Sequence, residues 1–193
     1  HFMNATKEII PNCLLDVPNP RVAIWKKTTP FKFEIVVRAY MEGSMWREQY
    51  NSEKAERKLW GYELPDGIKY QQKLPELMFT PSTKAPDGEH DEPISREEII
   101  KRGLATAEEY DYIKTKAFEV FKRGEEMATA RGLILVDTKY EFGKDKDGVI
   151  CLIDEIHTPD SSRYYYLEGY QEKFDRGENQ KQLSKESGRQ WLL

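Results

Sequence analysis

Cysteine is nearly absent: Cys13 and Cys151 are the only two in 193 residues. Two are too few for a disulfide framework or a cysteine metal site, and Cys151 sits inside the apolar stretch VICLI. Both read as reduced core thiols of a cytosolic, cytoplasmic protein. Long hydrophobic runs are missing as well. The longest clean one, Leu133 to Val136, is far too short to cross a bilayer, and no signal peptide is visible. Neither sign of charge dominates, since 30 basic residues are interspersed with 34 acidic ones for a net −4. No basic stripe of the kind nucleic acid requires stands out. Neither nucleic acid nor membrane is an expected partner. GxGxxG, the Walker lysine motif and any Ser–His–Asp or Cys–His nucleophile spacing are also missing, as are internal repeats.

What is present is a polar globular composition, 38% hydrophobic and 33% charged, with 12% aromatic residues to fill a sizeable core. The ends HFMNATKEII and RQWLL lack an initiator methionine in first place and stop on large apolar residues. They read as the ends of a fragment. RVAIWKK (21–27) and KFEIVVRAY (32–40) suit strands, and Gly43-Ser44 suits a helix entrance. Residues 63–93 carry five of the ten prolines and read as a long loop, docked through Ile68, Leu74, Leu77, Met78 and Phe79. Ser95-Arg-Glu-Glu98 and Thr106-Ala-Glu-Glu109 each have the spacing of a capping box. The first helix should end at Gly103 and the second at Gly132, with Tyr110, Ile113, Ala117 and Phe121 as its core stripe. A strand over 133–142, the turn GKDKDG and a strand over 149–155 make an antiparallel hairpin. DKDG does not fit a calcium loop, because its glycine comes too early and the final Glu is missing. A last helix should start near Ser184.

The strand GLILVDTKYEFG (132–143) is the informative one. Asp137, Lys139 and Glu141 occupy alternate positions, so they share one face. The hairpin partner brings Asp154 and Glu155 near, with Asp154 expected roughly opposite Asp137. Several carboxylates around one lysine suit Mg²⁺ and phosphate, whereas the plainer alternative is a solvated sheet face laced by salt bridges. HTPDSSR (157–163) offers hydroxyls and Arg163 to a phosphate or carboxylate, or is an ordinary turn with a surface arginine. Arg38, at a strand end before Gly43-Ser44, could line an anion pocket. In TPSTKAPDGEHDEP (80–93), His90 among acids could be a ligand or base, or simply solvated.

Three ordered blocks then resemble one family. LVDTKYEFG followed by LIDEIHTPDSSRYYY, QKLPELMFTPSTKAPDGEHDEPIS and FEIVVRAYMEGS are similar to the signatures of the phosphoribosylaminoimidazole-succinocarboxamide synthase, or SAICAR synthetase, family of purine biosynthesis. Lys32 stands where that family usually has proline, Glu42 where Thr or Ala is usual, and Ser187-Gly188 departs from the usual run. The family's glycine-rich, lysine-bearing, ATP-clamping β-lobe has no counterpart here. The resemblance implies an α+β fold of two lobes distantly like kinases. Residues 1–42 would be the remainder of the ATP-clamping lobe and 43–193 the main lobe, short of its C-terminal part. It implies an ATP-dependent ligase joining carboxyaminoimidazole ribonucleotide (CAIR) to L-aspartate, with release of ADP and phosphate. Glu141 and Asp154 would hold Mg²⁺–ATP. Asp137 and Lys139 would position the imidazole substrate and its carboxylate as the catalytic pair. Arg38, Ser44 and Arg163 would grip the ribonucleotide phosphate, and a loop with Ser82, Lys84 and Asp91 would close over nucleotide and aspartate. The rival expectations are a small-molecule kinase of related fold and a catalytically silent fragment.

Overall fold

The computed structural model describes residues 1–50, 58–84 and 91–192. A short helix α1 (Phe2–Thr6) precedes a hairpin of β1 (Leu14–Asn19) and β2 (Val22–Trp25). β3 (Thr29–Pro30) leads to β4 (Phe33–Tyr40), then a wide helical segment at Met45–Tyr50. β5 (Lys58–Leu59) and β6 (Tyr62–Glu63) form a small ribbon before the long β7 (Lys73–Thr83). Next come α2 (Arg96–Lys101), α3 (Ala107–Thr129), β8 (Leu133–Lys144) and β9 (Ile150–Ile153). The chain finishes with β10 (Ser162–Tyr166), α4 (Tyr170–Asp175), β11 (Gln182–Leu183) and α5 (Lys185–Leu192).

The main sheet has the order β11-β10-β8-β4-β7, and the far end of β8 pairs with β9 and β3. β8 is therefore the hub: its first half lies between β4 and β10, and its second half forms the hairpin with β9. The α+β class follows directly from this arrangement. β4 explains how one sheet serves two purposes. Phe33, Ile35, Val37 and Ala39 are buried in the core, whereas Glu34, Val36 and Arg38 alternate onto the opposite face. α3 covers the core face with Tyr110, Ile113, Ala117, Val120, Phe121 and Ala128, which recur at helical spacing. The other face is left for polar work.

The two helix starts differ. Thr106 and Glu109 exchange both hydrogen bonds of a capping box. Ser95 accepts from the Glu98 amide, but the Glu98 carboxylate is taken by Arg102 at 2.6 Å, so only half the expected box forms. A charge-assisted partner one turn on outcompetes the backbone amide.

The loop expected over 63–93 is a strand through its middle. β7 runs eleven residues and pairs with β4 from Phe33↔Thr83 to Tyr40↔Lys73. Pro75 and Pro81 hid it. Proline is excluded from central strands because it lacks a donor, but β7 is the edge of the sheet, where the missing N–H can face away from the ladder. Ile68, Leu74, Met78 and Phe79 are buried, so the segment is docked as expected.

Candidate functional site

The hairpin register overturns one expectation. Glu141 pairs with Ile153, which places Asp154 one step beyond the ladder and away from Asp137. Asp137 instead lies opposite Arg38 on β4 and Arg163 on β10. Its Oδ2 accepts from Arg163 Nη1 at 2.6 Å and Arg38 Nη1 at 3.4 Å. One buried carboxylate thus has a guanidinium on each side. Such burial is tolerable because the carboxylate is met by both guanidinium groups. Arg163 is pushed above the ordinary arginine value, first by the field of Asp137, against the opposing effect of burial.

A bulge in β8 makes this possible. Between Arg163 and Tyr164 the register on β8 jumps from Asp137 to Leu135. Leu135 then approaches Gly124 on α3, while Asp137 faces the arginines on the other side. Without the extra residue, 135 and 137 would point the same way. Bulges re-aim side chains in this fashion beside functional sites.

Arg38 donates to Asp137, to Thr80 Oγ1 at 3.1 Å and to Ser44 Oγ at 3.3 Å. Gly43 has φ +62, and a Cβ there would lie 2.8 Å from two nitrogens of Arg163, so only glycine lets the guanidinium lie on the backbone. Together Arg38, Ser44, Asp137, Lys139, Ser162 and Arg163 line a cavity of about 190 Å³, completed on another side by Ser184 and Lys185.

Next to the cavity the carboxylate–lysine cluster expected from the strand pattern is present. Lys139 Nζ meets Glu141 at 2.5 Å, Asp154 at 3.4 Å and Glu34 at 3.5 Å. Burial disfavours the charged ammonium, but the three acids outweigh it and raise the Lys139 pKa. Glu141 is lowered despite its burial, because Lys139 and Lys84 both donate to it. Glu34 is raised, chiefly by burial, with Lys139 pulling the other way. Glu34 was missed from the sequence, although its same-face spacing from Arg38 on β4 was a usable signal.

Lys84 reaches Glu141 from the end of β7. Ser82 sits on β7 opposite Glu34. Asp91 is exposed, and its charge acts on Glu34. The two ends of this loop are tied by Thr83 N to Glu92 O at 2.9 Å and Glu92 N to Thr83 Oγ1 at 3.1 Å. Glu89 and His90 lie outside the described residues. Of the residues singled out from sequence, Arg38, Ser44, Asp137, Lys139 and Arg163 share the cavity. Glu141, Asp154 and Lys84 share the adjoining cluster, and Ser82 and Asp91 flank it. Among the described residues no group of three acidic, histidine or cysteine side chains is close enough to hold a metal by itself, and no helix is long and apolar enough to cross a membrane.

An antiparallel sheet with one face given to arginines, a lysine and carboxylates defines an α+β protein built around an anion-handling cleft. The family model for SAICAR synthetase matches residues 1–193, and the chain belongs to that family. It is 54% identical over 192 residues to the phosphoribosylaminoimidazole-succinocarboxamide synthase of Bacteroides fragilis, covering 100% of this chain and 60% of that protein. It is 52% identical over 188 residues to the synthase of Cytophaga hutchinsonii, 97% of this chain and 59% of that one. The chain thus spans about 60% of the length of the curated relatives it matches. Among solved structures, a SAICAR synthetase in complex with ADP superposes with TM-score 0.77 at 26% identity, over 97% of this chain and 68% of that one. The Saccharomyces cerevisiae SAICAR-synthase complexed with SAICAR gives TM-score 0.77 at 28% identity, over 99% and 66%.

Proposed function

We propose that the full-length protein is an ATP-dependent ligase that joins CAIR and L-aspartate to give SAICAR, ADP and phosphate, as a cytoplasmic enzyme of purine biosynthesis. The observation that carries this reading is the contact between two parts: a cavity walled by Arg38, Ser44 and Arg163, and a lysine–carboxylate cluster at its side. An imidazole ribonucleotide such as CAIR has a ribose phosphate for the arginines and a ring carboxylate to present to Lys139. Relatives solved with ADP and with SAICAR agree with such a ligand pair.

In this scheme Arg38, Ser44 and Arg163 hold the ribonucleotide phosphate, the arginines fixed in advance by Asp137. Lys139 orients the CAIR carboxylate towards the nucleotide. A carboxylate oxygen attacks the γ-phosphorus and ADP leaves. The aspartate amine then attacks the carbonyl carbon, phosphate leaves, and the amine loses a proton. Catalysis is mainly positioning and electrostatics. Ser82, Lys84 and Asp91 close the loop over the nucleotide and aspartate.

Glu141 and Asp154 fit Mg²⁺: both are hard oxygen donors converging on Lys139, and Mg²⁺ takes one or two carboxylates with the rest of its shell from phosphate and water. When bound, the ion neutralises charge on the transferring phosphoryl group. Glu141 would exchange its Lys84 contact for the ion. In the longer protein, residues 1–42 would be the remainder of the ATP-clamping lobe and 43–193 the main lobe, the two sharing β4, which lies between β8 and β7 in the main sheet.

The test is ADP release by the full-length protein with and without L-aspartate. Release that requires both CAIR and aspartate is expected. Release with CAIR alone would make the protein a kinase, and none under either condition would refute the ligase reading.

A further inference from the structure

Gln71 lies outside the cavity, yet it uses every polar group it has. Its φ is +63, a left-handed conformation that L residues rarely adopt and that persists only where the surroundings enforce it. Its backbone N donates to Met41 O at 2.7 Å, and its carbonyl accepts from Tyr170 OH at 2.8 Å. Its side-chain Nε2 donates to Glu42 Oε2 at 3.0 Å, and its Oε1 accepts from Gln180 N at 2.8 Å. The residue is 3% exposed.

Each end of this bridge leads to the cavity. Glu42 is buried, takes hydrogen bonds from Tyr70, Tyr165 and its neighbour Gly43, and adds its field to that of Asp137 on Arg163. Gly43 is the residue on which Arg163 lies. Gln180, itself buried, opens the segment that joins the sheet edge through Leu183↔Tyr164 and then supplies Ser184 and Lys185 to the cavity wall.

We propose that Gln71 is a positioning residue for the cleft. Its amide ties the Glu42–Gly43 wall, with Arg163, to the 180–185 wall, and so sets the spacing between the arginines and the Ser184–Lys185 side. The strained backbone and the pair of buried side-chain bonds are what a fixed spacer requires. Glu42 and Gln71 act here as one unit. This inference rests on the cavity being the substrate site of the ligase.

Two measurements on the full-length protein test it. The first is amide hydrogen exchange over residues 180–185, which needs no turnover. Gln71→Leu should speed it at least tenfold while protection in α3 stays unchanged; unchanged exchange at 180–185 would overturn the proposal. The second is the KM for each substrate varied separately. Gln71→Leu should raise the KM of CAIR or aspartate about tenfold and leave that of ATP within twofold, and Glu42→Ala with Gln71→Leu together should cost no more than the worse single change. Equal shifts in all three constants, or fully additive losses, would contradict it. Should the leucine variant fail to fold, Gln71→Asn, short by one methylene, replaces it in both measurements. A wild-type protein without aspartate-dependent ADP release would sink the ligase reading, while the exchange result would still decide whether Gln71 holds the segment.

Discussion

Arg163 lies across the face of Gly43 while its Nη1 donates to Asp137 at 2.6 Å. A strand, a turn glycine and a buried acid thereby fix one guanidinium before any ligand arrives. An arginine already held in place loses little side-chain entropy when an anion binds.

Removing the acid should therefore be costly. Asp137→Asn leaves Arg38, with 7% of its side chain exposed, and the partly buried Arg163 without their shared counter-charge. Breaking a buried pair of this kind costs about 3 kcal/mol. Urea unfolding of the variant should show a loss of that size, along with weakened substrate binding; stability within about 0.5 kcal/mol of wild type would mean the triad is not held by charge.

Gly124 offers a case in which two effects oppose each other. Alanine in a helix interior is favoured over glycine by about 1 kcal/mol. A Cβ at Gly124, however, would meet His157 Nε2 at 2.6 Å and Leu135 Cδ2 at 2.9 Å. Overpacking of a well-filled core costs about 1–3 kcal/mol, so Gly124→Ala should be destabilising. A stabilised variant in denaturant titration would show that the β8 bulge leaves slack beneath α3.

His157 makes stability depend on pH. It is 1% exposed, bonds Tyr140 OH through Nε2 at 2.6 Å, and burial pushes its pKa down to about 4 from 6.5. Between those values the unfolded chain binds a proton that the folded chain refuses, so stability falls as pH drops from about 6.5 towards 4. The shift corresponds to about 3 kcal/mol at full effect. Unfolding free energies measured at pH 7 and pH 4.5 should differ more for wild type than for His157→Asn. Equal slopes would show that the ring is protonated in the folded state.

The metal assignment separates chemistry from folding. Asp154 has φ +59 and an exposed side chain, and asparagine tolerates that conformation, so Asp154→Asn should fold normally. Glu141→Gln leaves Lys139 with Glu34 and Asp154. Both variants of the full-length protein should lose at least a hundredfold of Mg²⁺-dependent turnover with melting curves close to wild type; near-normal rates would remove these carboxylates from the metal site.

Much of this was legible in the sequence because it depends on local spacing. The alternation of Asp137, Lys139 and Glu141 announced a shared polar face, and Thr106–Glu109 announced a helix start that formed with both bonds. What depends on register across strands was hidden. The opposition of Asp137 to two arginines needs the β4 and β10 pairings and a bulge, none of which leaves a pattern along the chain. Glu34 is separated from Lys139 by over a hundred residues, and β7 was obscured by prolines that only an edge strand accommodates. Gln71 gave no signal at all, since its strain and its four bonds exist only in the folded chain.

In the proposed ligase, Arg38, Ser44 and Arg163 would form a seat for the phosphate of the ribonucleotide. Its most direct test is steady-state kinetics of Arg38→Ala in the full-length protein, with CAIR and aspartate varied in turn. Asp137 keeps Arg163 in that variant, so the fold should hold. The KM for CAIR should rise at least tenfold while that for aspartate moves less than twofold, and equal changes in both would remove Arg38 from the phosphate seat.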